Sequence, residues 1–555
     1  MASKRSPLCT IFILFMLFSC SPSLASSSTS TPTFPSTICN STPHPSFCKS
    51  NLPPNKLSTI HDYGMYYLHQ SLSFAKGFLS LVKSYPIVFH SSYSISAIHT
   101  LKDCQLLADL NVDFLSKTFQ TIISTNSLSS MQVEDLHTLL SATLTNQETC
   151  SDGLLELTSE FDSSLKNSLL GPLSNGTKLH SISLALFKHG WVPRTNTKSF
   201  PTERNHNMFS NMEKIMNGLF PFKLSVTGRR LLQTTLGNVL VSRTVFVNPD
   251  GSGDFTTINH AVAAAPENTD ISNGYFVIYI AAGVYNEYVS IDNNKRYLMM
   301  IGEGIGRTVI SGNHNNADNW TTFNSATFAV GGQGFVAKEI SFRNTAGPRK
   351  AQAVAVRNGA DLSTFYRCSF EGYQDTLYTH SLRQFYKECD IYGTIDFIFG
   401  NAAVVFQDCN IYLRLPLHGQ CNVITAQGKT DPNQNTGTSM HLCSIRAAEN
   451  LDGTKTYLGR PWKEYSTTVY TQSFMDSLIN SKGWLTWNDS GFALNTLYYG
   501  EYDNKGLGSV TSARVTWHGY HVMNRKQAYY FTVCNFIHGY KWLPAIQGPY
   551  TCGLL

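Results

Sequence analysis

A cysteine-containing pattern recurs about every 20 residues in the second half of the chain, and it constrains the fold more than any other feature. The segment from Phe365 to Gly372 aligns with the segment from Phe385 to Gly393 when one bulged residue is allowed. The pattern continues around Cys409 and, after a longer loop, around Cys443. A period of this length without an intervening helix predicts a parallel β-helix, in which each coil stacks on the next. An antiparallel sandwich is disfavoured because its hairpin turns, such as Asn-Gly, are scarce here.

The first half of the chain has a different texture and predicts a separate all-α domain. Apolar residues recur at spacings of three and four, as an amphipathic helix requires; they are Leu136, Leu139, Leu140 and Leu144. Residues 38–190 are therefore assigned to a small helical bundle, and residues 191–240 to a linker with little periodicity. Short β-branched and aromatic runs begin near Val245, so the β-helix domain is assigned to residues 241–555.

The N-terminus has the pattern of a secretory signal, assigned to residues 1–25. Lys4 and Arg5 precede an apolar run from Leu8 to Phe18, and the stretch Ser23-Leu24-Ala25 that follows has the small residues of a cleavage site. The run is too short to span a membrane comfortably, so no stable membrane anchor is expected. The sequence therefore predicts a secreted protein.

Because exported proteins fold in an oxidising compartment, the cysteines are candidates for disulfides. Beyond the predicted signal, four precede residue 151 and seven follow residue 360, and none has the spacing of a zinc site. Four glycosylation sequons fit the secretory route; they begin at Asn40, Asn175, Asn319 and Asn488. The net charge of +5 is not gathered into a basic stripe, so no nucleic-acid partner is expected.

Two aspartates occupy the same position in consecutive repeats. Asp375 follows Cys368 by seven residues, and Asp396 follows Cys389 by seven residues. Because stacked strands lie about 4.8 Å apart, the two carboxylates should nearly touch on one face of the coil. Two carboxylates that close cannot both ionise cheaply, so one keeps its proton beside a charged neighbour. That arrangement suits a general acid next to a nucleophile.

Stacked aspartates can also be solvated ladder positions or calcium ligands, and the flanking residues argue against both. The neighbours of the pair are aromatic and apolar, unlike the oxygen-rich shell that calcium prefers. Gln374 adjoins Asp375, and Gln352 lies one coil earlier, so two side-chain amides could stabilise an oxyanion. Arg460 could hold Asp396 ionised, and Trp462 could stack on a sugar ring.

At these residues a family becomes recognisable. From about Val245 to the C-terminus the sequence resembles plant pectin methylesterases, in the form that carries an inhibitor-like pro-region. The resemblance rests on several blocks; they are Asp250 to Phe255, Gly283 to Glu287, Gly372 to Tyr378, Gly393 to Gly400, Thr425 to Asn435 and Leu458 to Trp462. It implies a right-handed parallel β-helix and hydrolysis of the methyl esters of homogalacturonan to carboxylates and methanol, in modification of the plant cell wall.

The resemblance also assigns roles by position. Asp396 would be the nucleophile, and Asp375 would protonate methanol and then activate water. Gln352 and Gln374 would form the oxyanion hole. Arg460 would orient Asp396. Substrate contacts are implied for four residues; they are Thr322, Gln352, Arg460 and Trp462. No metal or organic cofactor is implied, and a monomer is expected.

Further expectations from the resemblance concern disulfides and processing. It implies bridges Cys39–Cys48, Cys104–Cys150 and Cys389–Cys409. It also implies that the helical pro-domain inhibits the enzyme and that a protease cleaves the linker at the dibasic stretch Arg229, Arg230, Leu231 and Leu232. Methyl-esterified pectin, a proteinaceous inhibitor and a processing protease are the expected partners.

Two other interpretations remain open at this level. A pectate lyase or polygalacturonase would share the coil architecture, but it should show clustered calcium ligands or carboxylates spaced for a glycosidic bond. Alternatively, the protein could be a non-catalytic inhibitor or pectin-binding protein in which the helical domain is the active part.

Overall fold

The structure is a computed structural model that describes residues 35–53, 57, 59–85, 93–193, 204–205 and 239–555. The predicted signal at residues 1–25 and the dibasic stretch from Arg229 to Leu232 lie outside these residues. Within the described part, no helix combines the length and apolarity needed to cross a membrane.

The N-terminal region is a bundle of four long antiparallel helices preceded by a short helical pair. Its helices are α1 (Pro35–Asn40), α2 (Pro45–Ser50), α3 (Ile60–Lys83), α4 (Ile95–Ile123), α5 (Ser130–Glu156) and α6 (Ser163–Trp191). Capping boxes start α3 at Thr59 and α5 at Ser129, where side chain and backbone satisfy each other's hydrogen bonds. The four apolar residues that indicated an amphipathic helix all lie buried on α5.

Two disulfides hold this bundle. Cys39–Cys48 joins α1 to α2, and Cys104–Cys150 joins α4 to α5. The second bridge closes the longer loop, with a sequence separation of 46 residues, and therefore constrains the unfolded chain more. It fixes the relative register of α4 and α5, both of which contact the other domain.

The C-terminal region is a parallel β-helix built from three sheets. Sheet A runs in the order Val241–Val247, Tyr275–Ile280, Leu298–Ile301, Val336–Lys338, Ser363–Tyr366, Arg383–Lys387, Ala403–Gln407, Gly437–His441, Thr467–Thr471, Tyr498–Tyr502 and Tyr520–Val522. Sheet B comprises Gly283–Tyr285, Thr308–Gly312, Ser341–Asn344, Ser369–Glu371, Asp390–Gly393, Asn410–Leu413, Ser444–Ala447 and Phe474–Met475. Sheet C comprises Val289–Ile291, Phe328–Val330, Val356–Asn358, Leu377–Thr379, Ile395–Gly400, Asn422–Gln427 and Thr456–Gly459.

Like residues stack inside the coil to form its core. The Phe365 ring stacks on Tyr386 at 5.1 Å between centroids, and Tyr386 stacks on Phe406 at 4.6 Å. These contacts correct the sequence alignment, which paired Phe365 with Phe385 through a bulge. Phe365 instead pairs with Tyr386, and the register runs on to sheet B without a bulge.

Each coil turns from sheet A to sheet B through a residue in the left-handed backbone region. These corner residues stand at the same position on successive coils; they are Glu339, Arg367, Glu388, Asp408, Leu442, Gln472 and Asp503, with φ between 49° and 57°. A left-handed non-glycine residue is strained, so the repeated stacking on both sides must hold it in place. The corner is therefore a built-in feature of every coil from Glu339 onward.

The expected Cys389–Cys409 disulfide is wrong. Both are free thiols that stand with Cys368 and Cys443 in one buried column. The Cys389 thiol donates to the Phe365 and Lys387 carbonyls, both at 3.4 Å, so it is satisfied as a core side chain. The spacing of adjacent coils is compatible with a disulfide, but these thiols pack in the core as small apolar side chains.

A disulfide that sequence reasoning did not assign joins Cys534 to Cys552 near the C-terminus. It belongs to a C-terminal segment, with helices Arg525–Tyr530 and Val533–Phe536, that packs on the outer face of sheet A. Gln407 on that face exchanges two hydrogen bonds with the Thr551 backbone, at 2.9 and 2.7 Å. The segment is thus tied to the sheet by both covalent and polar contacts.

Replacing both Cys534 and Cys552 with serine should destabilise the protein. The bridge closes a loop with a separation of 18 residues, and its loss should lower the free energy of unfolding by about 3 kcal/mol. Thermal unfolding of the full chain should show a midpoint several degrees lower. Cys421→Ser, which removes a half-buried free thiol, is the control, and an equal shift in the two proteins would contradict the prediction.

Candidate active site

Asp375 and Asp396 lie at corresponding corners of adjacent coils, where the chain passes from sheet B to sheet C. Leu377 pairs with Ile398, which places the two aspartates in the same register. The Asp375 backbone N–H donates to the Ile395 carbonyl at 3.1 Å. Both aspartates have left-handed backbones, with φ of 62° and 50°. The repeat period predicted that the two aspartates share one face of the coil. This geometry agrees with that prediction, because both side chains line one cavity.

Arg460 binds the Asp396 carboxylate through a two-pronged contact. Its Nε donates to Oδ1 at 2.9 Å and its Nη2 donates to Oδ2 at 2.5 Å. Arg460 directly follows the sheet C strand that ends at Gly459, two coils beyond Asp396. The other face of the guanidinium lies 4.5 Å from the Trp487 ring centroid. The two-pronged pairing with Asp396 and the stacking on Trp487 together fix the orientation of the guanidinium. A lysine ammonium could form neither the two-pronged pairing nor the stacking.

The two carboxyl groups have different electrostatic surroundings. Burial and the neighbouring Asp396 raise the pKa of Asp375 well above its ordinary value, and Arg460 opposes this only by its charge. Burial also raises the pKa of Asp396, but the increase is opposed by both the hydrogen bonds and the charge of Arg460. Asp375 is therefore the member of the pair that keeps a proton, and Asp396 is the one held as an anion.

The cavity beside the pair has a volume of about 270 Å³ and contains every other site residue predicted from the sequence. Thr322, Gln352, Gln374 and Trp462 all line it. The two glutamines lie on adjacent coils, since the Ala353 N–H donates to the Gln374 carbonyl at 3.2 Å.

Aromatic rings form one wall of the cavity. Tyr378 and Phe399 stack at 4.3 Å, and Trp462 stands edge-on to Phe399 at 6.0 Å. A Cβ at Gly428 would lie 2.8 Å from the Trp462 ring, so the absence of a side chain there is what allows the ring its position. An apolar wall with a few convergent polar groups is typical of a small-molecule or sugar site.

The helical domain forms the opposite wall of this cavity. It contributes Asp103 from α4, and from α5 Thr149, Asp152, Gly153 and Glu156. Asp103 accepts hydrogen bonds from Thr321 Oγ1 at 2.5 Å and from Asn324. Lys463, next to Trp462, lies 2.6 Å from the Asp152 carboxylate. The helical domain therefore closes over the aspartate pair.

Additional contacts extend this interface along α5. His137 Nε2 donates to the Asn433 carbonyl at 2.8 Å. Gln434 Nε2 donates to the Ser141 carbonyl, also at 2.8 Å. The block from Asp431 to Asn435, which the sequence marked only as a motif, thus serves as a docking loop for the helical domain.

The acidic groups in the interface are strongly affected by their burial. Burial raises the pKa of Asp103 to about 7, against the opposing hydrogen bonds of Thr321 and Asn324. Burial also raises the pKa of Glu148 and of Glu156. These groups are costly to hold as anions while the two domains are in contact.

Sequence reasoning missed several residues of this site. Trp487, Lys463 and the α4–α5 acidic groups carry no local motif, and only their proximity to Arg460 and Trp462 in the fold reveals them. Lys463 had one available signal, because it directly follows the motif that ends at Trp462. Among the described residues, no three His, Cys, Asp or Glu side chains are grouped to hold a metal ion.

Comparison with known proteins gives consistent results for both domains. The Pectinesterase family model matches residues 244–540, and the Plant invertase/pectin methylesterase inhibitor model matches residues 33–186. The Arabidopsis thaliana protein "Probable pectinesterase/pectinesterase inhibitor 20" is 52% identical over 536 residues, covering 94% of each chain.

Two further relatives extend the comparison. "Pectinesterase 2" of Citrus sinensis is 47% identical over 460 residues, covering 82% of this chain and 81% of its own. The solved structure titled "Pectin methylesterase from Carrot" is 52% identical, with a TM-score of 0.54. It covers 57% of this chain and 98% of its own, so a relative that contains only the β-helix region forms a folded protein.

Proposed function

The chain belongs to the pectinesterase family, as a pectin methylesterase with an N-terminal inhibitor-type domain, and from this premise we propose how its residues divide the reaction. The reaction is hydrolysis of pectin methyl esters to free carboxylates and methanol. The observation that carries the proposal is the pairing of Asp396 with Arg460 beside the protonated Asp375.

Asp396 acts as the nucleophile. Its carboxylate attacks the ester carbonyl of a galacturonate unit and gives a tetrahedral intermediate. Arg460 keeps that carboxylate ionised and holds its plane, which supports attack by one oxygen in a fixed direction. The amides of Gln352 and Gln374 stabilise the oxyanion, a role supported by their place on the same cavity wall.

Asp375 moves the protons. Its raised pKa leaves a proton available for the departing methanol oxygen, and the result is an acyl-enzyme on Asp396. The Asp375 carboxylate then takes a proton from the water that attacks this acyl group. The second step releases the galacturonate carboxylate and restores both aspartates to their starting states.

Thr322 and Trp462 bind the polymer at the reacting position. Both line the cavity, and the Trp462 ring offers an apolar face of the kind on which a sugar ring stacks. The protein acts outside the cell on wall pectin, as a secreted monomer. This localisation is supported by the N-terminal signal pattern and by the substrate that the family name states.

The helical domain inhibits the enzyme until it is removed. Its α4 and α5 form one wall of the cavity and lie over the aspartate pair, where a polymer chain would have to bind. Proteolysis in the linker of residues 191–240, near Arg229 to Leu232, then separates the domains of residues 38–190 and 241–555. The dibasic sequence supports this cleavage position.

Methanol release from methyl-esterified pectin by residues 233–555 tests the assignment. We expect stoichiometric methanol and carboxylate, with the polymer length unchanged. Unsaturated chain ends would instead indicate a lyase, new reducing ends a glycosidase, and binding without any product a carbohydrate-binding protein. Any of these three results would contradict the proposal.

A further inference from the structure

Four aromatic rings from both domains form a continuous stack beside the active site. His99 of α4 lies on Trp320 at 4.3 Å between centroids, Trp320 lies on His314 at 3.6 Å, and His314 lies on Tyr288 at 3.5 Å. The interplanar angles are 20°, 14° and 8°, so the rings are nearly parallel. Only His99 belongs to the helical domain, and this residue is buried at the domain interface, with 6% of its surface exposed.

The three rings of the β-helix domain are held rigidly without help from His99. The Tyr288 hydroxyl donates to Asn313 Oδ1 at 2.8 Å and accepts from the Asn313 N–H at 3.0 Å. Asn315 caps the turn before Trp320 by accepting from the Asp318 N–H at 3.0 Å and donating to its carboxylate at 2.7 Å. Trp320 is therefore presented on a preorganised base rather than on a loose loop.

The stack adjoins the cavity that contains the aspartate pair. Trp320 directly precedes Thr321 and Thr322, which line that cavity. On the helical domain, Asp103 lines the same cavity and contacts Thr321, and His99 is located one turn earlier on α4. One helical turn is about 5.4 Å, so the face of Trp320 that His99 covers is about one sugar ring away from the Thr321 contact.

We propose that Trp320, backed by His314 and Tyr288, is a sugar-stacking platform for a galacturonan unit outside the reacting position, and that His99 occupies this unit's place while the helical domain is bound. The inference rests on the proposed function, and it adds a substrate contact that neither Trp462 nor Thr322 provides. The C–H groups of a pyranose ring pack well against the electron-rich face of an indole. The flat imidazole of His99 covers that same face of Trp320.

The chemistry of the imidazoles supports this role. His99 Nδ1 donates to the Asn319 carbonyl at 3.0 Å, which fixes the ring over Trp320. Burial lowers the pKa of His99, and burial with the nearby His99 lowers the pKa of His314 to about 4. The His314 ring is therefore neutral at mildly acidic pH, and burial favours the neutral form of His99 as well, so both rings pack as flat, largely apolar surfaces.

Binding of a methyl-esterified galacturonan hexasaccharide to residues 233–555 carrying Asp396→Asn tests the platform without requiring turnover. We expect Trp320→Ala to weaken binding about tenfold, and Trp320→Phe to remain within about twofold of the parent, because a ring still fills the stack. His521→Ala is the matched control, since it removes the half-exposed ring of a stacked pair with Tyr498 on sheet A. Unchanged binding in Trp320→Ala would overturn the proposal.

Kinetics on the active protein separate a binding role from a structural one. In Trp320→Ala, KM for the polymer should rise about tenfold at constant kcat. A fall in kcat with unchanged KM would mean that Trp320 only supports the Thr321–Thr322 segment, which also overturns the proposal. If methanol is never released but binding depends on Trp320, the platform stands and the esterase assignment fails.

The full chain tests the part played by His99. His99→Ala should increase methanol release by the uncleaved protein, whereas His99→Phe should restore inhibition by filling the same place. Equal activity of His99→Ala and the parent chain would show that the imidazole does not occupy the sugar position.

Discussion

Asp396→Asn in residues 233–555 should lower the rate of methanol release by about 10⁴-fold or more, because an amide oxygen is a far weaker nucleophile than a carboxylate. The change preserves the size of the side chain and leaves the coil register untouched. It also removes the anion that Arg460 binds through Nε and Nη2. The methanol assay should therefore show almost no turnover while the protein remains folded.

The control for this variant is Asp390→Asn. Asp390 lies six residues earlier on the same coil, and its carboxylate accepts a hydrogen bond from Asn410 at 2.8 Å, away from the cavity. It should keep close to full activity. An unpaired Arg460 could itself destabilise the protein, so the thermal midpoints of both variants must be measured. Equal midpoints would exclude unfolding as the cause of the lost activity. Turnover of Asp396→Asn within tenfold of the parent would contradict the nucleophile assignment.

The second large effect concerns the helical domain. At pH 5 the uncleaved chain should release methanol at no more than about 1% of the rate of residues 233–555, which requires a docking free energy of roughly 3 kcal/mol. The physical reason is steric, because α4 and α5 close the cavity through Asp103 and Asp152. An uncleaved chain as active as residues 233–555 would contradict this expectation.

Inhibition should weaken as the pH rises. The Asp103 carboxyl has a pKa of about 7 when docked and an ordinary value of 3.8 when free, so the docked state binds the proton more tightly. Its contribution to docking is fully present below about pH 4 and is lost as the pH rises through about 7. Between pH 5 and pH 8 the docking equilibrium should fall on the order of 100-fold from this group alone.

The ratio of full-chain activity to that of residues 233–555, taken at each pH, measures this effect and cancels the pH dependence of the catalytic groups. Glu148 and Glu156 should act in the same direction, since burial raises the pKa of each, whereas Arg357 and Lys463 partly stabilise the anions. Asp103→Asn is the matched variant and should flatten the profile. Stronger inhibition at pH 8 than at pH 5 would contradict the prediction.

The aspartate pair could be predicted from the sequence because, in a β-helix, residues that are one repeat period apart lie next to each other on adjacent coils. Asp375 and Asp396 differ by one period, and stacking places them on adjacent coils. The alignment around Phe365 was wrong by one residue, because an aromatic residue occurs at both Phe385 and Tyr386 and only packing selects the second.

Other features depended on contacts that no local pattern encodes. The column through Cys389 and Cys409 can hold thiols or a disulfide with the same spacing, so the sequence alone could not decide between them. The docking of Asp103 on Thr321 joins residues 218 positions apart in separate domains. Neither helix periodicity nor the coil repeat contains information about such a contact.

The lengths of the coils have a consequence for how this scaffold tolerates change. The register step along sheet A is 28 residues from Ala337 to Phe365, then 21 and 20 residues on the next two coils, and then 34 from Phe406 to Met440. The shortest of these four coils are those that carry the reacting carboxylates, and they have no spare loop between their strands. Insertions and deletions in the longer coils can therefore reshape the rim of the groove and change which methylation pattern of the polymer is preferred. The distance between the nucleophile and the acid stays the same, because it is set by the stacking of the two short coils.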